Sequence, residues 1–129
     1  MHSERKYRIS IVEDYPNLQK QYKVLLEIEP DLTVYGIYQT GAEALKEIPK
    51  AAPDLVLVDL SLPDMSGLAV VAALHERNPN LPIIVASCYL SREFTEHALK
   101  AGAMKYIDKL EVADKLVSTI WDSLGSAKS

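Results

Sequence analysis

Polar side chains that suit phosphoryl transfer follow four separate apolar runs of this chain. They comprise carboxylates, one hydroxyl and one ammonium: Glu13 and Asp14, Asp59, Ser87, and Lys109. A carboxylate can attack phosphorus and form an acyl phosphate. An ammonium can hold a phosphoryl oxygen as a point charge, without the two-pronged geometry that arginine offers. The set therefore predicts transfer of a phosphoryl group to a carboxylate.

Asp59 is the candidate nucleophile. It ends a nearly all-apolar strand and begins the loop from Leu60 to Gly67, in which a proline and a glycine restrict the backbone. A second interpretation stays open for this residue alone, because aspartate is common after strands, where it caps the next turn.

Glu13, Asp14 and Asp59 form a candidate metal site. Three carboxylates packed together repel one another and raise each other's pKa unless a cation lies among them. Mg²⁺ prefers oxygen ligands and combines one or two carboxylates with phosphate oxygens and water. The alternative is that Glu13 and Asp14 simply begin a solvated loop.

The remaining candidates are ambiguous one at a time. Ser87 either donates a hydrogen bond to a phosphoryl group or caps the following turn, and Lys109 is either a phosphate ligand or a solvated surface residue. Tyr106 is either a ring that changes rotamer or an ordinary strand aromatic. Cys88 is expected to be a small buried apolar residue rather than a reactive thiol.

Five strands alternating with five helices would position these residues, and this order predicts an α/β fold with a parallel sheet. Because parallel strands end at one edge, the candidate residues would meet in one crevice there. The predicted strands are Tyr7–Val12, Leu32–Tyr38, Asp54–Asp59, Pro82–Ser87 and Lys105–Asp108. The predicted helices are Pro16–Ile28, one capped by Thr40 and ended by Pro49 and Pro53, Gly67–Asn78, one from a Ser91 cap to Ala101, and Val112–Leu124.

The helices also carry predicted inward positions. Those of the first are Leu18, Tyr22, Leu25 and Leu26; of the second, Ala42, Leu45 and Ile48; of the third, Leu68, Val71, Ala72 and Leu74; and of the fourth, Phe94, Ala98 and Ala101. Glu43, three residues after Thr40, completes the pattern of a capping box. Gly102 is expected to end the fourth helix. Trp121 is either a contact on an exposed face or the edge of the core.

Composition limits the alternatives. With 129 residues, 48% of them hydrophobic, the chain is expected to form one domain with a real core. A net charge of −4 and no basic run argue against a nucleic-acid surface. The single cysteine excludes an intrachain disulfide and suits a reducing cytoplasm. No apolar run approaches the roughly 20 residues of a membrane span.

Together these motifs closely resemble the receiver domain of bacterial two-component response regulators, over about residues 7–124 of a single domain 1–129. The anchors of the resemblance are Val12-Glu13-Asp14, Val56 to Gly67, Ile84 to Ser87, and Ala101 to Lys109. The family implies a flavodoxin-like (βα)5 three-layer sandwich with strand order 2-1-3-4-5. It also implies a phosphoacceptor signalling domain, which catalyses only its own phosphorylation and slow dephosphorylation.

The resemblance assigns roles to the candidate residues. Asp59 would accept a phosphoryl group from a sensor histidine kinase or a histidine phosphotransfer protein. Mg²⁺ would be held by Asp14 and Asp59, by Glu13 through water, and by the Ser61 carbonyl. Lys109 would bind the phosphoryl group. Ser87 and Tyr106 would form a switch pair that acts on the face made of the fourth helix, fifth strand and fifth helix.

The receivers most similar to this chain are those of the NarL type, which precede a DNA-binding domain. No such domain is present in the sequence, so the chain would be either a stand-alone regulator or one that reaches DNA only through an effector domain outside this sequence. The resemblance further suggests a homodimer through the face just described, and no membrane partner. Leu110 departs from the family, where proline usually follows the lysine. We expect a trans Lys109–Leu110 bond, since a cis bond before a non-proline residue costs about 2.5–4 kcal/mol, and a Lys109 ammonium farther from Asp59.

Competing hypotheses remain at the sequence level. One is a receiver-like interaction module that signals without phosphate. Another is a haloacid-dehalogenase-like phosphatase, but that family has a second aspartate where this chain has Ser61. A flavodoxin would need phosphate-binding hydroxyl and glycine residues after the first strand, where this chain has acids.

Overall fold

A five-stranded parallel sheet with helices on both faces forms the molecule, seen in a computed structural model that describes residues 6–88 and 92–128. The strand order is β2-β1-β3-β4-β5, as predicted. The strands are β1 Tyr7–Val12, β2 Leu32–Tyr38, β3 Leu55–Asp59, β4 Ile83–Ser87 and β5 Lys105–Asp108. The helices are α1 Pro16–Glu27, α2 Gly41–Ala51, α3 Gly67–Arg77, α4 Arg92–Ala101 and α5 Val112–Lys128, and a 3₁₀ turn spans Lys109–Glu111.

The sheet separates two apolar cores. Helices α1 and α5 cover one face and pack around Tyr22, Leu26, Leu116 and Ile120. Helices α2, α3 and α4 cover the other face, with Ile48 among the side chains that pack there. The central strands β3 and β4 are buried along their whole length, which explains their nearly continuous apolar sequence.

Helix α2 runs past Pro49 and ends directly before Pro53, so only the second of the two prolines predicted to end it does so. Pro49 lies inside the helix, so the prediction that it ends the helix was wrong. The neighbouring Ile48 is buried, and its carbonyl accepts a hydrogen bond from the Ala52 N–H at 2.9 Å. Burial and this bond hold the last turn, which ends where Ala52 adopts the left-handed region at φ 50°.

Several predicted inward positions face outward. Ala42 and Ala72 are exposed, whereas the buried stripes of their helices include Ala44 and Val70. Phe94 is 46% exposed, because α4 reaches the core only near its C-terminal end, at Ala98. The stripe of α1 is confirmed.

Local turn chemistry agrees better with prediction. The Thr40 hydroxyl accepts a hydrogen bond from the Glu43 N–H at 3.1 Å, and the Glu43 carboxylate accepts one from the Gln39 N–H. Gly102 ends α4 with φ 123°, a conformation that strains other residues. The predicted Ser91 cap lies outside the described residues.

Asp64 joins the loop after β3 to the start of α2. Its carboxylate accepts hydrogen bonds from the N–H groups of Gly41 at 2.8 Å and Ala42 at 2.9 Å. These groups are left free by the helix, and the positive end of the helix dipole favours an acid there. The two backbone bonds hold the pKa of Asp64 below its ordinary value of 3.8.

We predict that Asp64→Asn lowers the free energy of unfolding at pH 7. Because the folded-state pKa is depressed, the stabilisation is complete above the ordinary pKa and is lost as the pH falls through the folded value. The difference between the wild type and the variant should therefore shrink below about pH 4. Urea unfolding between pH 3 and 7 measures it. Asp31→Asn, in an exposed loop, is the matched control, and equal effects of both substitutions would contradict the assignment.

Candidate phosphoacceptor site

The carboxyl ends of β1, β3, β4 and β5 bring the predicted residues to one edge of the sheet. Asp59 is the last residue of β3, and Ser87 is the last of β4. Parallel pairing aligns Asp59 with Ala86 and Ser87 with Asp108, so Lys109 follows directly at the same edge. Residues far apart in the sequence therefore converge because the sheet is parallel.

Asp59 is held by two donors on one oxygen. The Lys109 ammonium lies 2.8 Å from Oδ1 of Asp59, and the Ser61 N–H donates to the same atom at 3.1 Å. Asp59 is buried, and Lys109 is nearly so. An ion pair sheltered from water in this way is screened less than one on the surface.

The expectation of a distant Lys109 was wrong. The described residues contain no cis peptide bond, so the Lys109–Leu110 bond is trans as predicted. The reason for the close approach is the 3₁₀ turn after β5, which the Asp108 carboxylate caps by accepting from the Leu110 N–H at 2.9 Å. The turn leaves Leu110 87% exposed while Lys109 reaches the carboxylates.

Glu13 is the most buried acid of the cluster. Its Oε2 accepts a hydrogen bond from the Tyr15 N–H at 3.2 Å, and its backbone carbonyl accepts one from Nε2 of Gln19 at 2.6 Å. Burial, and then the charge of Asp59, raise the pKa of Glu13 to about 7 although Lys109 lowers it.

Lys109 balances the two acids. Burial alone lowers its pKa, but its hydrogen bond to Asp59 and the charges of Asp59 and Glu13 outweigh burial and raise it. The ammonium is therefore charged at neutral pH, and it is shared between the two carboxylates.

The acids fit a divalent cation. Carboxylate oxygens of Glu13, Asp14 and Asp59 lie within 4.8 Å of one another, and Asp14 is exposed to solvent. Lys109 lies 3.2 Å from Oε1 of Glu13, yet its direction does not make a hydrogen bond, so Oε1 is a buried acceptor without one. Three neighbouring acids, of which two pair with the one ammonium, and a buried carboxylate oxygen without a hydrogen bond match the oxygen ligands that Mg²⁺ prefers.

The loop after Asp59 is tightly closed. Ser61 and Ser66 form an antiparallel bridge, and the Gly67 N–H donates to the Leu60 carbonyl at 3.0 Å. A Cβ atom on Gly67 would collide with the backbone carbonyl of Asp59. Only glycine therefore lets the loop return so close to the acid.

Ser87 and Tyr106 differ in exposure. Ser87 is buried, whereas Tyr106 is 44% exposed, so its ring faces solvent in this state. Cys88 is exposed, and the prediction of a buried filler was wrong because β4 ends one residue earlier. Trp121 packs edge-on against Tyr7, with 5.6 Å between ring centroids, and is thus a core edge.

Two residues of the site were not found from the sequence. Gln19 holds the Glu13 carbonyl, and the buried Tyr22 was predicted only as core. An apolar stripe shows that a tyrosine ring points inward but not where its hydroxyl ends. The sequence signal that could have indicated Tyr22 was its residue type, since a buried tyrosine usually needs a hydrogen-bond partner for its hydroxyl.

Comparison with known proteins identifies the family. Residues 9–121 match the family described as the response regulator receiver domain. The chain belongs to this family. It is thus a receiver domain of two-component signalling, and the prediction of the family is confirmed.

Individual curated relatives are longer than this chain and have different names. The chain is 33% identical to the nitrate/nitrite response regulator protein NarL of Escherichia coli, over 84% of this chain and 50% of NarL. It is 35% identical to protein-glutamate methylesterase/protein-glutamine glutaminase 1 of Syntrophus aciditrophicus, over 82% of this chain and 31% of that protein. The chain thus spans about a third to a half of the length of these curated relatives.

A solved structure supports the same fold. A two-component response regulator of the LuxR family from an Aurantimonas species superposes with a TM-score of 0.89 at 26% identity, over 94% of this chain and 86% of that one. In the part of the chain that the structure describes, no helix is long and apolar enough to cross a membrane.

We predict that Lys109→Met destabilises the metal-free protein by roughly 1–3 kcal/mol, because it leaves two buried carboxylates without their cation. Added Mg²⁺ should raise the melting temperature of this variant more than that of the wild type. Thermal unfolding in EDTA and in MgCl₂ measures both effects.

Lys115→Met is the control for this prediction. It removes an exposed ion pair with Glu111 at 3.0 Å, which contributes about 0–1 kcal/mol. A Lys109→Met protein as stable in EDTA as the wild type would contradict the role given to the ammonium.

Proposed function

We propose that this domain accepts a phosphoryl group on Asp59 from the phosphohistidine of a sensor histidine kinase or a histidine phosphotransfer protein. The observation that carries the proposal is the geometry of Asp59. Its carboxylate ends a buried strand, is held by Lys109 and the Ser61 amide, and lies beside two further acids. This combination of a nucleophile, a cation and a metal-ligand set serves phosphoryl transfer.

The reaction would proceed by in-line displacement. A carboxylate oxygen of Asp59 attacks phosphorus while the P–N bond of the phosphohistidine breaks, and that electron pair returns to the imidazole, which takes up a proton. The product is an acyl phosphate on Asp59. Lys109, already at 2.8 Å from Oδ1, needs little movement to reach an oxygen of the transferred group.

Asp14, Asp59 and the Ser61 carbonyl would hold Mg²⁺ directly, and Glu13 would act through water. When bound, the cation offsets the repulsion between the acids and the incoming phosphoryl oxygens. Asp14 is exposed and therefore accessible to a hydrated ion, whereas Glu13 is buried behind it. This difference in burial supports the separate roles of the two acids.

The proposed output is a switch between Ser87 and Tyr106. The hydroxyl of Ser87 would move toward the phosphoryl group, and the exposed ring of Tyr106 would turn inward. The readout face would consist of α4, β5 and α5, on which Phe94 and Tyr106 are already exposed. A homodimer through this face, an effector domain like those of its relatives, and action in the cytoplasm complete the proposal.

We predict that Asp59 is the single stoichiometric phosphorylation site. Incubating the protein with Mg²⁺ and acetyl phosphate should add one phosphoryl mass, and Asp59→Asn, which keeps the shape but removes the nucleophile, should add none. Asp122→Asn, on the exposed side of α5, is the control and should react like the wild type. Phosphorylation of Asp59→Asn at the wild-type rate, measured by intact mass, would refute the assignment and favour a phosphate-independent module.

Phosphorylation should require Mg²⁺. We expect EDTA to abolish the reaction. We also expect Asp14→Ala to weaken Mg²⁺ binding more than Glu13→Ala, because of these two acids only Asp14 would contact the cation directly. Isothermal titration of both variants with MgCl₂ tests the order. Equal rates in EDTA and MgCl₂, or the reverse order of affinities, would exclude these roles.

A further inference from the structure

Tyr22 carries a buried hydroxyl without a hydrogen bond. The residue lies in the middle of α1 with 1% of its surface exposed, and its ring packs in the core beneath α1 and α5. Its hydroxyl has no partner within hydrogen-bond geometry. Buried polar groups are nearly always paired, so an exception in a native fold calls for an explanation.

The hydroxyl faces the acidic cluster. Burial, and next the negative charges of Glu13 and Asp59, raise the pKa of Tyr22 far above its usual range, so the group remains a neutral donor. Oε1 of Glu13 is a second buried atom without a hydrogen bond. The hydroxyl is close enough to the Glu13 side chain to interact with it, yet neither the Tyr22 oxygen nor Oε1 of Glu13 makes a hydrogen bond of good geometry in the metal-free protein.

The other acceptor atoms of Glu13 already accept hydrogen bonds, so Oε1 is the one that still lacks a hydrogen bond. Oε2 is already bonded by the Tyr15 N–H, and the backbone carbonyl is bonded by Gln19. Gln19 and Tyr22 are three residues apart, a spacing that places both on the same side of α1. One face of this helix therefore offers two polar groups to a single acid.

We propose that Tyr22 is a positioning residue, whose hydroxyl donates a hydrogen bond to Oε1 of Glu13 and so holds this carboxylate toward the cation bound by Asp14 and Asp59. The proposal rests on the Mg²⁺ site of the proposed function and adds to it a residue that has no contact with the ion. Without the cation, Lys109 competes for the same oxygen at 3.2 Å. With a cation in the site, the ammonium of Lys109 would be repelled from Glu13, and the Tyr22 hydroxyl would be the remaining donor for Oε1.

Tyr22→Phe tests the hydroxyl without changing the ring. We expect the Mg²⁺ affinity of the full chain, measured by isothermal titration with MgCl₂, to fall about tenfold, near the lower end of the effect of losing one hydrogen bond to a charged group. The metal-free variant should unfold at the wild-type temperature or above it, because no formed hydrogen bond is lost. Tyr7→Phe is the control, since Tyr7 lies at the opposite end of β1, and it should leave the affinity unchanged.

A double-mutant cycle shows whether the hydroxyl acts through Glu13. In a Glu13→Ala background, Tyr22→Phe should no longer change the Mg²⁺ affinity. An undiminished effect in that background, or wild-type affinity of the single variant, would overturn the role of Tyr22. A wild-type protein that fails to bind Mg²⁺ would instead contradict the proposed function.

A spectroscopic measurement separates positioning from packing. With ¹³C-labelled tyrosine, the Cζ resonance of Tyr22, assigned by its loss in Tyr22→Phe, should shift when MgCl₂ is added and stay unchanged in Glu13→Ala. If the chemical shift of Tyr22 Cζ in the wild type does not change on addition of MgCl₂, the ring contributes only to core packing.

Discussion

Repulsion between three acids at one edge of a parallel sheet is the constraint on which the rest of the structure depends. The strands bring Glu13, Asp14 and Asp59 together. Like charges at such distances are unfavourable unless cations offset them. Lys109 supplies the one cation that the described residues place there, 2.8 Å from Asp59 and 3.2 Å from Glu13. One ammonium beside three acids leaves an excess of negative charge, and this excess supports the proposal that a divalent ion binds there.

The loops around the cluster are built to keep that arrangement in place. Asp64 ties the loop after β3 to the start of α2, and Gly67 lets the same loop return against the Asp59 backbone. The turn after β5 is closed by its own acid, Asp108. Each of these contacts uses a backbone group, so the geometry of these loops depends little on long flexible side chains. A site that is preorganised in this way loses less entropy when a phosphoryl group arrives.

The sequence predicted the order of elements and the meeting of the candidate residues at one edge of the sheet, because both follow from strong patterns. Two fully buried strands read as apolar runs, and the side chain after each strand end must lie at the common edge. What it could not predict depends on three-dimensional packing. Phe94 fits an inward stripe, but α4 reaches the core only near Ala98. Pro49 is a typical helix end, yet burial of the neighbouring Ile48 outweighs that preference. The approach of Lys109 was missed because it depends on a hydrogen bond from Leu110 to Asp108, which spacing alone does not reveal.

The exposed ring of Tyr106 suggests a source of free energy for the proposed switch, namely the burial of apolar surface. A tyrosine that is 44% exposed has apolar surface still to bury, and Phe94 on α4 is exposed as well. An inward turn of Tyr106 would bury part of that surface, but only once Ser87 has moved to make room. Phosphorylation can shift this equilibrium only by as much as it favours the state with Ser87 displaced. The hydroxyl of Ser87 is buried at the end of β4, beside the strand that carries Asp59, and is therefore placed to sense a new group on that acid. The switch then needs no long pathway, because the residue that would contact the phosphoryl group and the residue that releases the ring are the same.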